Sequence, residues 1–140
     1  MRYLGLDLGT RTLGIAISDK LNIIATSLET IRFEESNYDV LQEKLKEIIE
    51  KYNITTLVLG LPKNMNNSLG DRALTTISFK EKLESWFNIE IVLEDERLTT
   101  IQAYTYMHDN NYSIKSKKDK KDSISACIIL QTYLDKERKD

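Results

Sequence analysis

The hydrophobic period changes once along this chain, and that change restricts the fold more than any other feature. Up to about residue 33 the apolar residues come in short runs: Tyr3 to Leu8, Leu13 to Ser18 and Ile23 to Phe33, with Asp19-Lys20-Leu21-Asn22 as a turn. Short runs in close succession predict an antiparallel meander of three strands. From Asn37 to Tyr52 the period becomes helical: Val40, Leu41, Leu45, Ile48, Ile49 and Tyr52 recur at three- and four-residue spacing. This is an amphipathic helix, with Ser36 or Asn37 as its N-cap. Thr55 to Leu61 is a continuous apolar run; fed by a helix, it reads as a buried parallel strand. A second helical stretch covers Gly70 to Phe87, with Leu74, Ile77, Leu83, Trp86 and Phe87 as its inner face. Ile89 to Leu93 is a fifth strand, Thr99 or Thr100 caps a third helix through Tyr106, and Ser123 to Leu134 is the last helix. The order β-β-β-α-β-α-β-α-α predicts an α/β fold: a five-stranded mixed sheet, three antiparallel strands then parallel strands, flanked by helices.

A chain of 140 residues suits one domain, residues 1–140, and is long enough to bury a real core. Hydrophobic residues at 41% and charged residues at 30% are those of an ordinary globular protein. The net charge of −2 argues against a domain that coats nucleic acid non-specifically, but leaves room for an enzyme with a local basic patch. One cysteine, Cys127, excludes an internal disulfide and fits a reducing compartment. The N-terminus has no apolar leader segment, and no run approaches a membrane span, so the expected location is the cytoplasm, away from membranes.

With 22 acids in the chain, position decides which of them matter. Asp7 lies inside an otherwise apolar first strand, where a charge needs a partner or a metal. Gly9-Thr10 follows it, a tight turn that lets backbone approach a phosphate or metal. Asp95 and Glu96 lie past the fifth strand, and Asp122 at the start of the last helix. If the first, fourth and fifth strands run parallel with the first one central, these acids share one sheet edge. Converging carboxylates repel unless cations lie between them, and hard oxygen donors suit Mg²⁺ or Mn²⁺. Two such ions about 4 Å apart serve phosphodiester cleavage. Taken singly, Asp95-Glu96 also reads as a polar strand end, and Asp122 as a first-turn acid favoured by the helix dipole.

Four motifs in order carry a resemblance that covers nearly the whole chain. Asp7-Leu8-Gly9-Thr10-Arg11-Thr12-Leu13-Gly14-Ile15-Ala16, Gly60-Leu61-Pro62, Asp95-Glu96-Arg97-Leu98-Thr99-Thr100 and Lys121-Asp122-Ser123-Ile124-Ser125-Ala126 resemble the successive motifs of the YqgF (RuvX) family. The resemblance implies a ribonuclease H-like fold related to the RuvC Holliday junction resolvases. It also implies a metal-dependent nuclease of the 5′ end of pre-16S rRNA, or, in an older assignment, a Holliday junction resolvase. Carried over by motif, the catalytic acids are Asp7, Glu96 and Asp122, holding Mg²⁺ (or Mn²⁺) as two ions, with Asp95 as a neighbouring ligand. The implied partner is nucleic acid, with a ribosomal particle as a further one, bound by a monomer or a homodimer. Two positions depart from the pattern: Arg11 is followed by Thr12 where a second basic residue is frequent, and Asn66-Asn67 stands where the family often has Asp-Gly.

Thr10 and Arg11, in the turn after Asp7, are expected to meet the nucleic-acid backbone. Arg97 either grips a phosphate in a bidentate contact or pairs with Asp95. Five lysines fall in the seven positions from Lys115 to Lys121, read as an exposed loop. Beside Asp122, its Lys117, Lys118 and Lys121 would steer a phosphate backbone, although such a run is also an ordinary solvated surface. His108 has no second histidine or cysteine nearby for zinc, and Cys127 reads as core rather than nucleophile. Tyr104, Tyr106 and Tyr112 offer either core packing or a stacking surface for unpaired bases. The opening Asp-x-Gly-Thr turn also occurs in nucleotide-binding ATPases and sugar kinases, but those close two such domains around a nucleotide. A non-catalytic ribosome-assembly module would be expected to have lost at least one of the three acids.

Overall fold

Apolar residues at every second position give β1 (Arg2–Leu8) and β2 (Thr12–Ser18) two distinct sides. Leu4, Leu6, Leu8, Leu13, Ile15 and Ile17 join one buried cluster, while Ala16 joins another on the opposite face. The computed structural model describes residues 1–62, 70–95 and 114–139, without the side chains of 114–123, 138 and 139. In it β1 pairs antiparallel with β2, and β2 with β3 (Ala25–Arg32). β4 (Ile54–Leu61) lies parallel to β1, and β5 (Glu90–Asp95) parallel to β4. The order β3-β2-β1-β4-β5 puts β1 at the centre, which meets the condition for acids at the ends of β1 and β5 to share one sheet edge.

α1 (Leu41–Tyr52) and α2 (Asp71–Trp86) cover the leucine-rich face, burying Leu41, Leu45, Ile48, Phe79 and Leu83 against it. α3 (Ile114–Lys139) covers the other face with Ala126, Cys127, Ile129, Leu130 and Leu134. Among the described residues, no helix is long and apolar enough to cross a membrane.

Five expectations are corrected. A short 3₁₀ turn, Tyr38–Val40, precedes α1, so Val40 rather than Ser36 or Asn37 holds its N-cap position, and Asn37 makes no side-chain capping bond. Ser36 has φ 63°, a left-handed backbone that no helix start adopts. On the inner face of α2, Leu83, Trp86 and Phe87 pack on the core as expected, joined by Ala73, Thr76 and Phe79, while Leu74 is 54% exposed: it falls one residue, about 100° of arc, off the Ala73 row. β5 extends to Asp95, so Asp95 ends the strand instead of following it. Lys115 to Lys121 is helical, because lysine is a good helix former and the backbone continues unbroken into the apolar segment. Asp122 therefore sits about two turns inside α3 and not at its start. The helix expected from Thr99 or Thr100 to Tyr106 lies outside the described residues.

Polar latches fix α3 on the sheet. Gln131 Nε2 donates to the Ile23 carbonyl and its Oε1 accepts from Ala25 N–H, both at 2.9 Å. The buried Cys127 thiol donates to the Ala25 carbonyl at 3.2 Å, and burial pushes its pKa up to about 11, a core thiol rather than a nucleophile. The closest approach is at Gly5, where an added Cβ would lie 2.7 Å from both the Ala126 carbonyl oxygen and Leu130 Cβ.

Candidate active site at the carboxyl edge of the sheet

Asp7 is the next-to-last residue of the central strand and is half-buried. Pleating alternates its side chain away from the Leu6 and Leu8 cluster, onto the α3 face. Its partner on β2 is Gly14. On the other side, Leu6 pairs with Leu59, so one further step in register brings Gly60 beside it. Glycine on both flanks means that neither neighbouring strand places a side chain beside Asp7 in the register.

Beyond Gly60 stands Glu94 of β5, on the same face. Glu94 is 5% exposed and meets Lys136 of α3, whose Nζ donates to Oε2 at 2.8 Å and also contacts Oε1. Sequence reasoning passed over Glu94 because the acid pair after it drew the attention. The signal was there: period-2 alternation from Val92, which packs under α3, puts Glu94 on the same face. Two strand spacings, about 10 Å, separate the Asp7 and Glu94 backbones, and the Glu94 carboxylate is engaged by Lys136. Glu94 with Lys136 ties the far end of α3 to the sheet edge. Lys136→Met would leave a buried carboxylate without its cation, at a cost of about 1–2 kcal/mol, less than for a fully buried pair because Lys136 is largely exposed. Urea unfolding measures this, and the double variant Glu94→Leu/Lys136→Met should recover most of the loss.

Of the other expected site residues, Asp95 is exposed at the end of β5. It pairs with Leu61 and so faces away from Asp7. Thr10 and Arg11 lie exposed in the β1–β2 turn. That turn is closed by the Gly9 N–H donating to the Thr12 carbonyl at 2.7 Å, and a Cβ on Gly9 would press on the Thr12 hydroxyl at 2.9 Å. The closing acceptor is a backbone carbonyl, so the family departure at Thr12 leaves this bond unaffected. Arg11 reaches Glu35 at 3.4 Å, a solvated pair that leaves the guanidinium available to a stronger anion. Asp122, Lys117, Lys118 and Lys121 lie on α3, in or before the turn preceding Ala126, whose carbonyl lies over Gly5. Glu96 and Arg97 fall outside the described residues, as do Thr99, Thr100, His108 and Asn66-Asn67. Among the described residues no three His, Cys, Asp or Glu side chains converge on a metal position.

Comparison with known proteins adds the family. The model described as "RuvX: Holliday junction resolvase" matches residues 1–136. A Geobacillus kaustophilus (strain HTA426) protein named "Putative pre-16S rRNA nuclease" is 44% identical over 138 residues, covering 99% of this chain and all of that one. A Staphylococcus aureus (strain N315) protein of the same name is 46% identical over 135 residues, 96% of this chain and 95% of the relative. Among solved structures, T. thermophilus RuvC in complex with a Holliday junction substrate superposes with a TM-score of 0.58 at 14% identity, over 99% of this chain and 96% of that one. The Fowlpox virus resolvase bound to Holliday junction DNA gives 0.53 at 13%, over 98% and 99%. At such identity these two speak for the fold alone, and that fold is ribonuclease H-like. With the family model spanning almost the whole chain and relatives well above 40% identity, the chain belongs to the RuvX family.

Proposed function

We propose that this chain is a metal-dependent nuclease that hydrolyses phosphodiester bonds at the 5′ end of pre-16S rRNA in the cytoplasm. The observation that carries this reading is Asp7: an acid fixed on the central strand, at the edge where β1, β4 and β5 end together, with glycine on both flanks. The names of the relatives support rRNA processing, and the family description keeps Holliday junction resolution as the second reading.

Asp7, Glu96 and Asp122 would hold Mg²⁺ or Mn²⁺ as two ions; Asp95, which faces away from Asp7, would not join them. The carboxylate of Asp7 fits a hard cation, because it is an oxygen donor on a backbone held by strand pairing on both sides. When bound, such ions activate water and stabilise the leaving oxygen. The protein's own residues orient the strand: Thr10 and Arg11 from the turn, Arg97 after β5, and Lys117, Lys118 and Lys121 along α3 would take flanking phosphates.

Purified protein is to be assayed with Mg²⁺ or Mn²⁺ on a precursor rRNA 5′-end fragment, a generic single-stranded RNA and a four-way DNA junction. Cleavage of the precursor fragment, abolished by EDTA and restored by Mg²⁺, is the expected result. Preferred cutting of the junction moves the assignment to resolution, and cleavage that persists in EDTA defeats the metal mechanism.

A further inference from the structure

A groove of about 210 Å³ opens on the far side of the β1–β2 turn, between that turn and the first turns of α2. Its wall includes Thr10, Asp71, Arg72, Thr75 and Thr76. Arg72 Nη2 donates to the Leu8 carbonyl at 3.3 Å, which holds the guanidinium at the end of β1, one residue past Asp7. A guanidinium carries five N–H donors, and this contact uses one of them.

The threonines beside it are committed differently. Thr75 Oγ1 donates to the Asp71 carbonyl at 3.0 Å, and Thr76 Oγ1 to the Arg72 carbonyl at 2.9 Å. With their protons bound in the helix, these hydroxyls present lone pairs only. Thr76 is buried, so Thr75 is the one open to the groove. The Asp71 carboxylate, also exposed, is likewise acceptor-only when ionised. The groove thus sets a cluster of donors beside a cluster of acceptors.

A bare phosphate would match the first and be repelled by the second. A deoxyribose phosphate would leave the acceptors facing a carbon. A ribonucleotide matches both, because its phosphate is an anion and its 2′-hydroxyl a donor. We propose that this groove holds one ribonucleotide of the substrate strand, its phosphate on Arg72 and its 2′-hydroxyl on Thr75 Oγ1 and the Asp71 carboxylate. The proposal rests on the reading of the chain as a nucleic-acid enzyme and assigns it a means of choosing RNA over DNA next to the Asp7 edge. Thr75 and Asp71 are exposed, so without a 2′-hydroxyl they return to water, and the preference for RNA is that of one or two hydrogen bonds exchanged with solvent.

The test is equilibrium binding by fluorescence anisotropy, with the full chain in EDTA so that metal-dependent cleavage does not intervene. Labelled single strands of one sequence are compared as RNA, DNA and 2′-fluoro RNA, the last keeping a 2′ substituent but no donor. The wild-type protein should bind RNA about tenfold more tightly than DNA or 2′-fluoro RNA, the scale of one or two hydrogen bonds. Thr75→Val, near-isosteric and on an exposed helical position, should bring RNA to within about twofold of DNA, with DNA binding unchanged, as expected for one lost hydrogen bond to a 2′-hydroxyl. Arg72→Gln should weaken RNA and DNA alike, and reduce the salt dependence by about one ion. Equal binding of RNA and DNA by the wild type, no binding of either, or an RNA preference that survives Thr75→Val would each overturn the proposal. A protein that prefers RNA through Thr75 yet cuts no substrate with Mg²⁺ would overturn the nuclease reading and leave this groove in place.

Discussion

Asp7→Asn is expected to abolish cleavage while leaving the fold intact. The substitution keeps side-chain volume and an acceptor oxygen but removes the charge that a hard cation requires. In the proposed metal mechanism several kcal/mol of transition-state stabilisation would depend on that cation, so the rate should fall by about a thousandfold or more. Stability should change by no more than about 1 kcal/mol, since Asp7 is only half-buried and the swap is isosteric. Single-turnover cleavage beside urea unfolding measures both. A variant that cuts as fast as wild type would mean that the activity belongs to a contaminant or that the site lies elsewhere. A variant that fails to fold would make Asp7 a structural acid.

The largest effect on stability is expected at Gly5. A methyl group there meets a backbone carbonyl and a Cβ at 2.7 Å, neither of which is the free end of a flexible side chain. α3 has to shift as a body. Gly5→Ala should cost about 1–3 kcal/mol, and Gly5→Val more, read from the urea midpoint. Activity should fall further than the folded fraction does, because the displaced helix carries Asp122 one turn before Ala126. If Gly5→Ala proves as stable as wild type, α3 does not seat on β1 as described.

The strands were the most legible part of this chain, because period-2 alternation and apolar runs survive in the sequence wherever one face is buried. β1, β2 and β4 match their expected spans to within one residue. The inner face of α2 was less legible: Ala73 and Thr76 pack against the sheet by being small, and a search for large apolar residues passes over them to Leu74. The lysine run failed for the opposite reason, since charge marks exposure but says nothing against a helix. For the site, an acid in a core strand made Asp7 visible from the residues alone. Glu96 and Asp122 stood out by their places at a strand end and a helix start, but taken singly each had an ordinary explanation, and only the four motifs in order favoured the catalytic one. The groove at Arg72 could not be read at all, because it depends on which protons the Thr75 and Thr76 hydroxyls have already given away.

The way α3 is held also sets how the chain reaches its native state. The Gln131 bonds to Ala25 and Ile23 join residues 106 and 108 positions apart, and β1 meets the same helix across a similar span. Such contacts close loops nearly as long as the chain itself, and the entropy of closure falls due before any of them contributes stability. The meander and the β-α-β units can form from nearer neighbours, which makes docking of the last helix a late event. The edge that carries Asp7 would then be assembled only when folding is nearly complete, so that a partly folded chain would lack the proposed centre.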